Sequence, residues 1–195
     1  MAANRQHKII IITAPSGAGK TTITRHLLKK FPDRLSFSVS ATTRPKRPHE
    51  KEGVDYYFIT VKEFKEKIRR NAFVEWEEVY IGKFYGTMKR EIRRIWKEKK
   101  IPLLDVDVSG ALHVEQQQPE QTLTIFIEPP SVNELKKRLE SRGTETPEGI
   151  HARVSKATYE LSFSHRFDKK VNNKNLEKAC RDTEKIVRKF LSSDT

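Results

Sequence analysis

Three stretches of the chain are almost continuously apolar: Ile9 to Ile12, Leu103 to Val108 and Leu123 to Ile127. Unbroken apolar runs of this length suit strands covered on both faces, as in a parallel sheet sandwiched between helices. Elsewhere the apolar residues recur at helical spacing. Phe64 with Ile68, Leu135 with Leu139, and Ile150, Val154 and Ala157 each share a face. Met88, Ile92, Ile95 and Trp96 do the same, which leaves Lys89, Arg90, Arg93, Arg94 and Lys97 on the outside. Helix starts are marked by local chemistry. Thr60-Val-Lys-Glu63 and Ser131-Val-Asn-Glu134 read as capping boxes, and Thr146-Pro147 as an N-cap followed by proline at the first helical position. A last helix is expected over about residues 175–191, with Cys180 on its apolar face beside Leu176, Ala179 and Val187. The pattern predicts an α/β fold, a parallel sheet core flanked by helices.

Residues 37–88 break the alternation. They are rich in Thr, Tyr and Phe, are punctuated by Pro45, Pro48, Gly53 and Gly82, and hold no long apolar run, which predicts a small β-rich insertion. The polar stretch Ser141 to Pro147, flanked by arginines, reads as a flap between helices. The 195 residues suit one domain with inserted parts. The expected division is a core over about 8–36, 89–137 and 157–191, the insertion over about 37–88, and a helical lid over about 138–156.

The candidate chemistry begins where the first apolar run ends. Ala14-Pro15-Ser16-Gly17-Ala18-Gly19-Lys20-Thr21, with Thr22 next, lies between a strand pattern and a helix pattern. This is the setting of a phosphate-binding loop: backbone N–H groups converge on a phosphate, Lys20 reaches the β/γ oxygens, and the Thr21 hydroxyl is placed to ligate Mg²⁺. The loop alone leaves kinase, GTPase, ATPase and helicase open, although a motor or multidomain ATPase needs a longer chain.

Composition narrows this further. The net charge of +13 and pI near 9.8 favour polyanionic partners. The solvated helix faces account for most of that surplus, and no nucleic-acid reader motif accompanies it. A single cysteine excludes an internal disulfide framework. No apolar stretch approaches the ~20 residues of a membrane span, so a soluble, cytoplasmic protein is expected. His7, His26, His49, His113, His151 and His165 are scattered without metal-site spacing.

Within the insertion, Thr42-Thr-Arg44-Pro-Lys-Arg47-Pro-His-Glu50-Lys-Glu-Gly53-Val-Asp-Tyr56-Tyr-Phe58 carries two arginines three apart, an acid, a glycine and Tyr-x-Phe. With this pattern the chain resembles the guanylate kinases. Phe73-Val-Glu75-Trp, Tyr85-Gly86-Thr87, Leu104-Asp-Val-Asp107 and the run from Lys137 to Thr146 match in the same order, and the resemblance spans about residues 8–191. It implies ATP-dependent phosphorylation of GMP with Mg²⁺, with GMP, dGMP and ATP as small-molecule partners; the oligomeric state stays open.

By resemblance, Arg44, Arg47, Tyr56 and Tyr85 hold the acceptor phosphate, for which paired guanidinium forks are well suited. Glu75 matches the carboxylate that accepts from guanine N1–H and its 2-amino group, where adenine would present a lone pair instead. Ser40, Gly86 and Thr87 lie near the base, and Asp107 faces the acceptor side. The family's catalytic cations correspond to Lys20, Arg44, Arg138, Arg142 and Arg153, its metal ligands to Thr21 and Asp105, and its residue near the ATP adenine to Asn173. The chain departs from the pattern at Ser109, where glutamine is usual, and at Lys169-Lys170, where the family has an apolar strand. Asn172 beside Asn173 leaves the register there open by one residue. A non-enzymatic module of the same fold is the alternative, but such modules tend to lose the loop lysine or the lid arginines, and Lys20, Arg138, Arg142 and Arg153 are all present.

Overall fold

In the computed structural model, which describes residues 7–141 and 146–192, the three apolar runs become the central strands of one parallel sheet. In chain order the elements are β1 (Ile9–Thr13), α1 (Lys20–Lys30), β2 (Leu35–Phe37), β3 (Ala41–Thr42), β4 (Tyr57–Phe58), α2 (Val61–Arg69), β5 (Phe73–Tyr80), β6 (Lys83–Met88) and α3 (Lys89–Lys97). They continue as β7 (Ile101–Val106), α4 (Val108–Gln117), β8 (Thr122–Glu128), α5 (Val132–Glu140), α6 (Pro147–Ser162), β9 (Lys169–Asn172) and α7 (Leu176–Ser192).

The core sheet has the order β2-β7-β1-β8-β9, and every pairing in it is parallel. Successive strand residues point to opposite faces. Ile10 and Ile12 therefore pack with Ile23 and Leu27 of α1, Leu135 and Leu139 of α5 and Val187 of α7. Ile9 and Ile11 pack on the other side with Ile92 of α3 and Ala111 and Val114 of α4. This two-sided burial is why the central strands read as continuous apolar runs. The lysines at 169 and 170 do not prevent the edge strand: β9 pairs with β8, Val171 is buried, and both lysines face solvent, where they discourage further strand addition.

The insertion is a four-stranded sheet of order β4-β3-β6-β5. Helix α2 covers it by stacking Phe64 on Phe73, with ring centroids 4.5 Å apart. Glu91, buried in α3, accepts from the Tyr57 hydroxyl at 3.0 Å and pairs with Arg94 at 3.0 Å, tying insertion to core.

Local signals behave mostly as expected. Thr60 forms a complete capping box, and Thr146 caps α6 by accepting from the Gly149 N–H at 3.2 Å. Ser131 makes only half of its box: its hydroxyl accepts from the Glu134 N–H at 3.1 Å, while the Glu134 carboxylate leans towards Arg138 at 3.6 Å. Two readings change. The run Leu103 to Val108 is not all strand, because Asp107 caps a new helix by accepting the Gly110 N–H at 2.9 Å, and Val108 opens α4. Leu176 is exposed at the first turn of α7, whereas Cys180 is buried with Ala179 and Val187. Helix α6 continues unbroken through the expected lid boundary at 156/157. No helix among the described residues is long and apolar enough to cross a membrane.

Candidate active site

One end of the cleft is built where β1 hands over to α1. Gly17 and Gly19 take φ of 94° and 97°, values that favour glycine, and the loop closes on itself through Ala18 N–H to Pro15 O at 3.1 Å. Gly19 offers α1 no side-chain cap, so the helix's first N–H groups remain directed at the loop. Ser16, Thr21 and Thr22 line the cleft. Asn173 fixes the loop from behind: it is 3 % exposed and its Nδ2 donates to Ala18 O at 2.7 Å. Asn172 faces solvent, and its side chain accepts from the Lys174 N–H at 2.9 Å.

Lys20 crosses to the end of β7, with its Nζ 2.9 Å from Asp105 Oδ1 and donating to Val106 O at 3.4 Å. Burial alone would lower its pKa; the Asp105 carboxylate outweighs burial, and the net shift is upward. Lys20 is therefore a fixed positive charge at neutral pH.

The opposite end of the cleft comes from residues 37–88. The Arg44 fork grips Glu50 at 2.6 and 2.5 Å, and the same carboxylate accepts the Arg47 N–H at 2.9 Å, so one acid organises both arginines. Burial opposes the charge on each partner of the Arg44–Glu50 pair, but the pairing prevails: Arg44 is shifted up and Glu50 down. The guanidinium lies 4.9 Å over the Tyr56 ring. Burial pushes the Tyr56 phenol up to about 12, which keeps it a hydroxyl donor, and its ring meets Tyr85 edge-on at 6.0 Å.

Glu75 is 4 % exposed on β5 and accepts from the Thr87 hydroxyl at 2.5 Å. Burial, with Asp107 adding to it, pushes its carboxyl up to about 7. Gly86 has no space for a side chain, since a Cβ would lie 2.9 Å from the Phe73 ring and 3.0 Å from Glu75 O. Thr87 is wholly buried and supports Glu75, while Ser40 reaches the cleft wall.

From α6, Arg153 Nη1 donates to Ser16 Oγ at 2.5 Å and its guanidinium lies 5.3 Å over the Tyr80 ring. Arg138 comes from α5. Its Nη2 donates to Asn173 O at 3.1 Å, behind the loop. Arg142 lies outside the described residues. Sequence reasoning missed Lys156, Glu160, Glu77 and Tyr80, all of which line the cleft. The signal for two of them was present: 153, 156 and 160 fall on one face of a helix. Burial pushes the Glu160 carboxyl up to about 7.

Ser16, Lys20, Arg44, Tyr56, Glu75, Arg153 and Lys156 are among the residues that surround one cleft of about 460 Å³, which runs from the loop after β1 to Glu75. A family model described as guanylate kinase matches residues 6–190. The chain belongs to the guanylate kinase family. It is 45 % identical over 188 residues to the guanylate kinase of Bacteroides fragilis, covering 96 % of this chain and 92 % of that one. It is 44 % identical over 181 residues to the guanylate kinase of Thermotoga maritima, with 93 % and 86 % covered. The crystal structure of guanylate kinase from Anaplasma phagocytophilum superimposes with a TM-score of 0.76 at 30 % identity, covering 93 % of this chain and 84 % of that one. As a guanylate kinase family enzyme, the chain carries its phosphate loop and its buried carboxylate in one continuous cleft.

Proposed function

We propose that the protein transfers the γ-phosphoryl group of Mg·ATP in line to GMP, giving ADP and GDP, with dGMP as a second acceptor. The observation that carries this reading is the single cleft with a phosphate loop at one end and a buried acceptor carboxylate at the other. Phosphoryl transfer needs alignment, charge neutralisation and exclusion of water more than covalent help. Loop N–H groups and Lys20 hold the donor phosphates, and Arg153 adds charge beside Ser16. Arg44, Arg47, Tyr56 and Tyr85 take the acceptor phosphate, and ionised Glu75 accepts the two guanine donors. Closure of the lid over the insertion would keep water from the γ-phosphoryl group.

Among the described residues no group of three or more His, Cys, Asp or Glu is placed to hold a metal. Thr21 and Asp105 are hard oxygen donors at the donor end, which fits a Mg²⁺ that takes its other ligands from phosphates and water. When bound, that ion supplies positive charge to the β,γ oxygens. The reading places the enzyme in the cytoplasm with nucleotides as its partners.

Variants at the two ends test it. Lys20→Met should abolish transfer while GMP binding by calorimetry persists, and Arg44→Ala should raise the GMP KM strongly. Unchanged GMP affinity in Arg44→Ala would show that the insertion is not the acceptor site.

A further inference from the structure

Helix α6 sends two cations into the cleft one turn apart, and they face opposite ends. Arg153 reaches Ser16 in the phosphate loop. Lys156 reaches the other way, with Nζ 3.0 Å from Asp107 Oδ2 and 3.6 Å from Glu160 Oε1, and 5.7 Å from the Tyr80 ring centroid. Asp107 is thereby held by both oxygens, since its Oδ1 accepts the Gly110 N–H of α4 at 2.9 Å. A carboxylate engaged by donors at both oxygens has one orientation.

The contact continues to the base-reading carboxylate. Gly110 lies against Glu75 so closely that a Cβ there would be 2.8 Å from Glu75 Oε2. Lys156, Asp107, Gly110 and Glu75 thus form one line of contacts from the lid helix to the acceptor end.

We propose that Lys156 is a positioning residue for the acceptor nucleotide, fixing Asp107 from the lid helix and balancing the carboxylates gathered around the guanine end of the cleft. The proposal deepens the GMP-kinase reading and rests on it for the identity of the acceptor.

The electrostatics agree with this geometry. The groups facing Lys156 are Asp107 at the end of β7, Glu160 on its own helix, and Glu77 and Tyr80 on β5; Glu75 and Lys20 lie beyond Asp107, and His113 of α4 acts on Glu77. Burial raises Glu77 and Glu160, and Lys156 pulls both down. Burial would also lower Lys156, but Asp107 and Glu160 outweigh it and its net shift is upward. Without this ammonium Asp107 would lose its partner at Oδ2, and Glu77 and Glu160 would be pushed further up.

The test compares Lys156→Gln and Lys156→Arg with the parent, by GMP calorimetry, by steady-state kinetics and by NMR titration of the Glu160 side-chain carboxyl. In Lys156→Gln the Glu160 midpoint should rise by about one unit or more, because a nearby opposite charge is lost. Its GMP affinity should fall about tenfold, the equivalent of one charge-assisted hydrogen bond. The GMP KM should rise in parallel, the ATP KM should hold, and Lys156→Arg should restore most of both effects. Parent-like GMP affinity and Glu160 titration in Lys156→Gln would overturn the proposal. So would a fall in thermal stability without either change, which would mark a purely structural residue. If the parent binds GMP but transfers no phosphate, the kinase reading fails while binding and titration still decide the role of Lys156. If the parent does not bind GMP, both fail.

Discussion

Replacing Glu75 by glutamine should move stability and binding in opposite directions. The carboxyl is 4 % exposed, and burial lifts it from 4.5 to about 7. A folded-state value above the unfolded one favours the protonated form. The associated stability is fully present below about pH 4.5, declines as pH rises towards 7, and is lost above it. A shift of that size corresponds to about 3 kcal/mol of destabilisation of the ligand-free protein in mild alkali. Glutamine is isosteric, still accepts from the Thr87 hydroxyl at Oε1, and does not titrate. Ligand-free Glu75→Gln should therefore be more heat-stable than the parent at pH 8, by up to roughly 10 °C for a domain of this size, and the two should converge near pH 4.5. For GMP the sign reverses. One acceptor becomes a donor facing a donor, so affinity should fall by about 2–3 kcal/mol, or roughly 30- to 160-fold. In the parent, GMP affinity should also weaken as pH drops through about 7, while the variant lacks this component; GMP's own phosphate titration is common to both. Scanning calorimetry at several pH values and titration calorimetry with GMP measure the two halves. A variant less stable than the parent at pH 8 would show that Glu75 is not strained by burial, and one that binds GMP equally well would show that it is not a guanine acceptor.

Gly110→Ala would ordinarily stabilise a helix by about 1 kcal/mol, but here the new Cβ meets Glu75 Oε2 at 2.8 Å. GMP affinity should drop while the affinity for an ATP analogue holds, as calorimetry with each nucleotide would show. Gly19→Ala places a Cβ 2.3 Å from Asn173 Nδ2 at φ of 97°. The left-handed backbone alone should lower Tm by about 2–8 °C, and ATP binding should fail while GMP binding survives.

What the sequence made legible was local. The Thr60 box and the Thr146-Pro147 start are each decided by residues within one turn of each other, and both appear as read, while a glycine turn joins β1 to α1 within the run Ala14 to Thr21. The central strands were legible because burial on both faces leaves no room for polar residues. What stayed hidden depends on distant partners. Lys156 meets Asp107 across 49 residues, and the Asn173 side chain donates to Ala18 O, 155 residues away. Glu91 is an acid on a helix, which ordinarily faces water, and nothing nearby in the chain marks it as buried. Val108 was misplaced for a local reason: Asp107 caps α4 through Gly110, three residues on, and an unbroken apolar run hides where the strand residue becomes a helix cap.

The central claim is best tested by coupled ADP release from Mg·ATP with each nucleoside monophosphate in turn. GMP should support rapid release, with dGMP also accepted, and AMP, CMP and UMP should support little beyond the ATP-only background. Equal rates with AMP, or no release above background with GMP, would contradict the account.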